Sequence, residues 1–336
     1  MEKNVLVVCD LEVEYASQLS EFLSIKRNVP FEVYAFTIMD RFIEFAKKSK
    51  VEVLLISKEA LDNLDSVVKE MDVKEIFILN EDGDIAQVDG YKSIYKYQNT
   101  ENILREVMTY YADSEIKIGG RVQVVEDIEM IAVYSPVKRS LKTSFAMTLG
   151  QILSESRRVL YINLEDYSGF NQLMKMTYMT DMSDLLYYIS QGKPNFIWKM
   201  SSIVQSIGGL DYIPPAISPM DLRNITIDEW LLFFRELKKC EYETVILDIG
   251  DSINGVYDIL RMCKKIYMPT RDDSVSFAKM EQYEALMKIM EYEDVLKKTK
   301  KLSFSYFKGI DGSFDRLVYS ELGAYTRSIL KADGVY

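Results

Sequence analysis

Short apolar runs separated by helix-length stretches constrain this chain more than any other feature. The first series reads NVLVVC (4–9), FEVYAFT (31–37), VEVLLIS (51–57), EIFILN (75–80) and SIYKY (93–97), followed by a helix expected from Asn99 to about Tyr111. A strand covered on both faces loses the apolar–polar alternation, and its parallel neighbours need crossover helices. A second series follows: MIAVYS (130–135), a helix from about Thr143 to Ser156, then RVLYINL (158–164), DYIPP (211–215), TVILDI (244–249), KIYMPT (265–270) and LSFSYF (302–307). The pattern predicts an α/β protein of two doubly wound, mostly parallel sheets. The polar segment ADSEIKIGGRVQ, with Gly119 and Gly120, separates the two series. We therefore expect a first domain over 1–115, a linker over 116–125 and a larger second domain over 126–336.

A chain of 336 residues that is 48% hydrophobic can bury two cores. With 7 Pro, 15 Gly and 12% aromatics it is neither collagen-like nor disordered. No apolar run reaches the length that spans a bilayer, and the start, MEKNVLVVCDLEVEY, has no secretory cleavage pattern. The absence of histidine removes His-based triads, His metal sites and His general bases. Cys9, Cys240 and Cys263 lie far apart with no CxxC, which argues against structural zinc and for reduced thiols in a cytoplasmic protein. Of the net charge of −11, residues 1–120 hold −9 (23 acids, 14 bases) and the remainder −2 (29 acids, 27 bases). No nucleic-acid partner is expected from that balance, although a local basic site fits in the second part.

Such a site is visible in YSPVKRSLKTSFAMTLGQIL (134–153), where Lys138, Arg139 and Lys142 put three cations in five residues. A strand running through a loop into a helix is where backbone amides cradle phosphates. The residues expected to line it are Val137, Lys138, Arg139, Ser140, Leu141, Lys142, Thr143 and Ser144, with Lys142 on the phosphates and Thr143 on Mg²⁺. The pattern G-x-x-x-x-G-K-[ST] would place glycines at Pro136 and Leu141, and none stands between Ser135 and Thr143. Left-handed backbone costs a non-glycine residue about 1–2 kcal/mol, so a phosphate site and a purely structural turn both remain open. Asp248 ends an apolar strand at the edge where ligands of open sheets collect. It reads either as a Mg²⁺ acid or as a strand-end cap.

Lys142–Thr143, the acidic strand end after VLYIN, GLDYIPP and VILDIGD occur in the order of the MinD/ParA ATPase family, which the second domain resembles. The two-domain layout is similar to the TadZ/CpaE branch, pilus-assembly localisation proteins with a receiver-like domain ahead of a P-loop NTPase-like one. The resemblance implies ATP and Mg²⁺ at Lys142, Thr143 and Asp248, a nucleotide-gated homodimer, and Glu165 and Asp248 as the catalytic acids. The family's second, signature lysine falls on Val137, with Lys138 one residue late, and its acidic pair falls on Asn163 and Glu165. Those departures imply slow or absent hydrolysis.

The first domain resembles a response-regulator receiver, whose acids, phosphoacceptor and lysine correspond to Asp10, Ser57 and Lys96, with a solvated strand-end lysine as the other reading of Lys96. A serine at the phosphoacceptor position implies a flavodoxin-like pseudo-receiver used for docking or dimerisation. The implied partners are proteins of a pilus, secretion or localisation machinery. They would concentrate the protein at a pole or the inner membrane face without direct membrane insertion. A nucleotide-free scaffold with a decayed loop, and a response regulator with an effector domain, are the alternatives. In the Met- and Tyr-rich stretch 172–190, Leu185 and Leu186 are expected in the core, with Met174, Met176 and Met179 left as core or partner contacts. KKTKK (297–301) reads as a solvated helix end, and the C-terminal segment as a helix too poor in large apolar and basic residues to anchor in a membrane.

Overall fold

A computed structural model describes residues 4–26, 31–64, 67–68, 71–83, 87–113, 128–304 and 314–335. The linker expected at 116–125 lies outside them. The chain divides into two compact units, Met1–Arg121 with Ile197–Ser202, and Val122–Phe196 with Ile203–Tyr336.

The first unit is built on strands β1 (Asn4–Cys9), β2 (Phe31–Phe36), β3 (Val51–Ser57), β4 (Val73–Asn80), β5 (Gln87–Val88) and β6 (Tyr91–Tyr95), ordered β2-β1-β3-β4-β6-β5. All pairs are parallel except the short hairpin β5–β6. β3 is buried along its whole length, as its unbroken apolar run requires of a central strand. β5 falls within the Gly- and Asp-rich stretch EDGDIAQVDG (81–90). Asp89 and Gly90, both left-handed at φ 51° and 82°, close it as a two-residue hairpin.

The second unit contains β7 (Glu129–Tyr134), β8 (Val159–Leu164), β9 (Gln205–Ile207), β10 (Leu210–Ile213), β11 (Thr244–Ile249), β12 (Lys265–Thr270) and β13 (Thr299–Ser303), ordered β13-β12-β7-β11-β8-β10-β9. Only β9 runs antiparallel, paired with β10. β11 inserts between β7 and β8, so their C-terminal ends form the crevice where such sheets bind ligands. The helix Lys142–Ser154 is buried from Phe145 to Leu153. It packs in one core with Leu317, Leu322, Ile329 and Leu330, the last three from the C-terminal helix Glu321–Ala332. That C-terminal helix is therefore a core element.

Leu185 and Leu186 are buried, Met174 packs against the core, and Met176 and Met179 are exposed. The KKTKK run is not a simple helix end. Thr299–Ser303 is the edge strand β13, where Lys300 pairs with Asp333 at 2.7 Å and Lys301 pairs with Glu284. All three cysteines are free and buried. Burial pushes the Cys240 and Cys263 thiols up to about 12. Among the described residues no helix is long and apolar enough to cross a membrane.

Candidate functional site

The loop from Ser135 to Leu141 links β7 to the buried helix, and its shape is held from within. Ser135 Oγ accepts from Val137 N at 3.0 Å, and Ser140 Oγ donates to Val137 O at 3.0 Å. Val137 and Ser140 are buried, while Lys138 and Arg139 point outward and Leu141 to Ser144 are half-buried. Arg139 and Leu141 adopt left-handed φ of 57° and 60°, and Leu141 is the residue that caps the helix. A bulky side chain rarely takes that conformation, and such strain persists only where the surroundings enforce it.

Lys142 folds back over the strand ends. Its ammonium pairs with Glu165, donates to the carbonyl of Ile249 and lies 4.0 Å from Asp248 Oδ1. Register explains the meeting, because β11 sets Asp248 beside Asn163 of β8 and Val133 of β7. Just beyond, Gly250 N donates to Leu164 O at 3.1 Å. A Cβ at Gly250 would meet that oxygen at 2.9 Å and Glu165 Cα at 3.2 Å, so only glycine lets these strand ends converge.

Asp248 is fully buried. Its Oδ2 accepts from Tyr161 OH at 2.9 Å and from Asn163 Nδ2 at 3.2 Å, whereas Oδ1 is buried without a hydrogen-bond partner among the described residues. Burial pushes its carboxyl up to about 6, against the pull of the Lys142 charge. An unmet acceptor oxygen beside a lysine and the Thr143 side chain fits a hydrated divalent cation with a phosphate chain. The donor chemistry of Lys142, Thr143 and Asp248 is of the kind ATP–Mg²⁺ would need. Lys142, Thr143 and Asp248 are the groups that would hold it.

Several partners in this crevice carry no sequence signal. Asn163, where the resemblance expects an acid, donates to Asp248 and, at 2.8 Å, to the Tyr161 hydroxyl, and its Oδ1 accepts from Glu165 N at 3.0 Å. Lys138, one residue from the signature position, pairs with Asp251 at 2.7 Å, and that contact raises its pKa. Farther along the edge, Asp166 accepts from Ser252 Oγ at 2.8 Å and from Arg223 at 3.4 Å.

In the first unit, Lys96 is 2% exposed and sits within 3.1 Å of Asp10, 3.0 Å of Glu12 and 3.1 Å of Glu81. Burial works against its charge, but the carboxylates outweigh it and hold the ammonium above the ordinary lysine range. Glu12 and Glu81 complete a constellation of which only Asp10 and Lys96 were visible as motif positions. Ser57 is spent on structure, its Oγ accepting from Ala60 N at 3.4 Å as the cap of the helix Lys58–Asp62. The end of β3 thus presents a helix-capping hydroxyl in place of a carboxylate.

Sheet order, loop position and strand-end acids define a protein of two classes joined, a receiver-like unit and a P-loop NTPase-like unit. Residues 2–112 match the TadZ-like receiver domain. No curated protein matches the sequence. Among solved structures, a ParA family ATPase from Chlorobium tepidum is 16% identical, with 61% of this chain and 93% of that one covered at a TM-score of 0.44. A plasmid partition protein from Borrelia burgdorferi bound to AMPPNP is 11% identical, with coverages of 62% and 100% and a TM-score of 0.43. An ATP complex of a McdA variant from Cyanothece is 14% identical, with coverages of 61% and 78% and a TM-score of 0.40.

Proposed function

We propose that this chain is a localisation or assembly protein whose second unit binds ATP–Mg²⁺ as a dimerising switch, with the receiver-like unit as its docking module. The observation that supports it best is the unmet Oδ1 of Asp248, facing Lys142 and Thr143 beneath a loop strained into left-handed backbone. ATP supplies a polyanion that draws Lys142 off Glu165 and gives the exposed edge a charge a second copy can share. Nucleotide shifts the monomer–dimer balance only by its preference for the dimer. Asn163 in place of an acid and the engaged Lys138 favour slow or no hydrolysis, with Glu165 the carboxylate available to orient water. Partners from a pilus, secretion or localisation machinery, and an address at a pole or the inner membrane face, belong to the same proposal.

Calorimetric titration of the full chain with ATP–Mg²⁺ tests it. Binding is expected, weakened about 10- to 100-fold by Lys142→Ala, the range for losing a charged hydrogen bond to phosphate. Absence of heat at millimolar nucleotide would defeat it. A second reading, a scaffold with a decayed loop, is favoured by the internal partners of Lys142, Glu165 and the Ile249 carbonyl, which already satisfy its ammonium. That reading expects Lys142→Ala to leave self-association unchanged with and without ATP.

A further inference from the structure

The helix Ser274–Ile289 turns an unusual face to solvent. Its buried side is Ser276, Met280, Tyr283 and Met287, and the opposite side exposes Val275, Ala278, Gln282, Ala285, Leu286 and Ile289. Val275 is 63% and Ile289 78% exposed. At 100° per residue these six residues occupy one contiguous stripe, and Val275, Ala278, Gln282, Ala285 and Ile289 repeat with the 3–4 spacing of a coiled-coil seam. The other face of the helix already fills the core, so the stripe is presented to solvent. We infer that it is a self-pairing surface, on which two copies of this chain dock their Ser274–Ile289 helices antiparallel about a twofold axis.

Charge chooses both the partner and the direction. Glu281 and Lys288 are exposed along one border of the stripe, and Lys279 lies on the other. In an antiparallel pair with Gln282 opposite the second copy's Ala285, Ala278 lies opposite Ile289. Glu281 of each copy then faces Lys288 of the other, so one contact makes two ion pairs. A parallel pair would set Glu281 against Leu286 and make neither. The two Gln282 side chains fall about 4.5 Å apart along the axis at 1.5 Å per residue, close enough to hydrogen-bond and fix the register. Flanking charges of both signs suit this self-complementary contact better than anionic lipid. The helix begins firmly, with Asp273 accepting from Ser276 N at 2.9 Å, so the surface is presented on a rigid element.

The stripe is one helix wide, which places the contact at the weak, concentration-dependent end of specific interfaces. It needs no nucleotide, so it is separable from the switch proposed above. Sedimentation of the nucleotide-free full chain at low salt, where exposed pairs are least screened, should show a reversible monomer–dimer equilibrium. Ile289→Asp should abolish it, and Glu281→Lys, which sets lysines against Lys288 twice, should weaken it about tenfold or more. The double variant Glu281→Lys/Lys288→Glu should restore it. The three substituted side chains all lie on the solvent face, and a circular-dichroism melt confirms that each variant is folded. A chain that stays monomeric at every concentration overturns the inference. So does dimerisation indifferent to Ile289→Asp, or a double variant no better than Glu281→Lys.

Discussion

Burying an ammonium costs several kcal/mol unless carboxylates surround it, and Lys96 is surrounded by three. Asp10 is as buried as the lysine, while Glu12 and Glu81 are more than half exposed and can turn to water. Lys96→Met therefore strands chiefly one carboxylate, and the first unit should lose about 2–4 kcal/mol, read as a shift in its urea midpoint. A loss below about 1 kcal/mol would mean that the cluster is a solvated surface pair. At this scale the sequence is informative where chemistry is tied to a strand end, as at Asp10, Lys96, Lys142 and Asp248. It is silent on partners such as Tyr161, Asp251 and Glu81, because register and loop path decide what they meet. Asn163 illustrates the limit, since its position was readable but its bond to Asp248 was not.

Non-glycine residues seldom adopt left-handed backbone, and the seven-residue loop ahead of the helix Lys142–Ser154 holds two that do, Arg139 and Leu141. Each costs about 1–2 kcal/mol relative to glycine, offset in part by the about 0.5–1 kcal/mol of extra chain entropy that a glycine loses on folding. Arg139 is exposed and anchors nothing in the core, so Arg139→Gly should stabilise the second unit by about 0.5–1 kcal/mol. A thermal melt raised by a few degrees would show it, whereas a lowered one would mean that the arginine side chain outweighs its backbone strain. The element boundaries came from periodicity, and both sheets were legible because their strands are buried on two faces. The hairpins β5–β6 and β9–β10 were not, since strands of two or three residues leave no periodic trace. Asp89–Gly90 and Gly208–Gly209 were nevertheless the dipeptides that favour such turns.

At the scale of the whole molecule, two carboxylates of the second unit pull stability in opposite directions with pH. Asp248 has its pKa raised from 3.8 to about 6, so its folded form holds a proton more tightly than its unfolded form. Ionising it costs stability above pH 6, and that cost, about 3 kcal/mol at 1.36 kcal/mol per unit, is relieved as pH falls from 6 to about 4. Asp333, bound by Lys265, Lys300 and the Tyr267 hydroxyl, is lowered from 3.8 to about 2. Its contribution of about 2 kcal/mol is present above pH 4 and lost as pH falls through 2. The second unit should therefore be more stable at pH 5 than at pH 7 and weaken only in strong acid. Trp230, fully buried in that unit, reports its urea unfolding in a Trp198→Phe background, Trp198 belonging with the first unit. Asp248→Asn should flatten the profile between pH 7 and 4 and raise stability at pH 7, whereas a profile that falls from pH 7 to 5 would reject the burial account of Asp248. Ionised Asp248 offers an oxygen that a visiting cation would engage alongside Lys142. On the proposed function that visitor is Mg²⁺ with ATP, so nucleotide affinity should drop as Asp248 takes up its proton below pH 6. Nucleotide affinity that does not change between pH 7.5 and 5.5 would separate Asp248 from the metal.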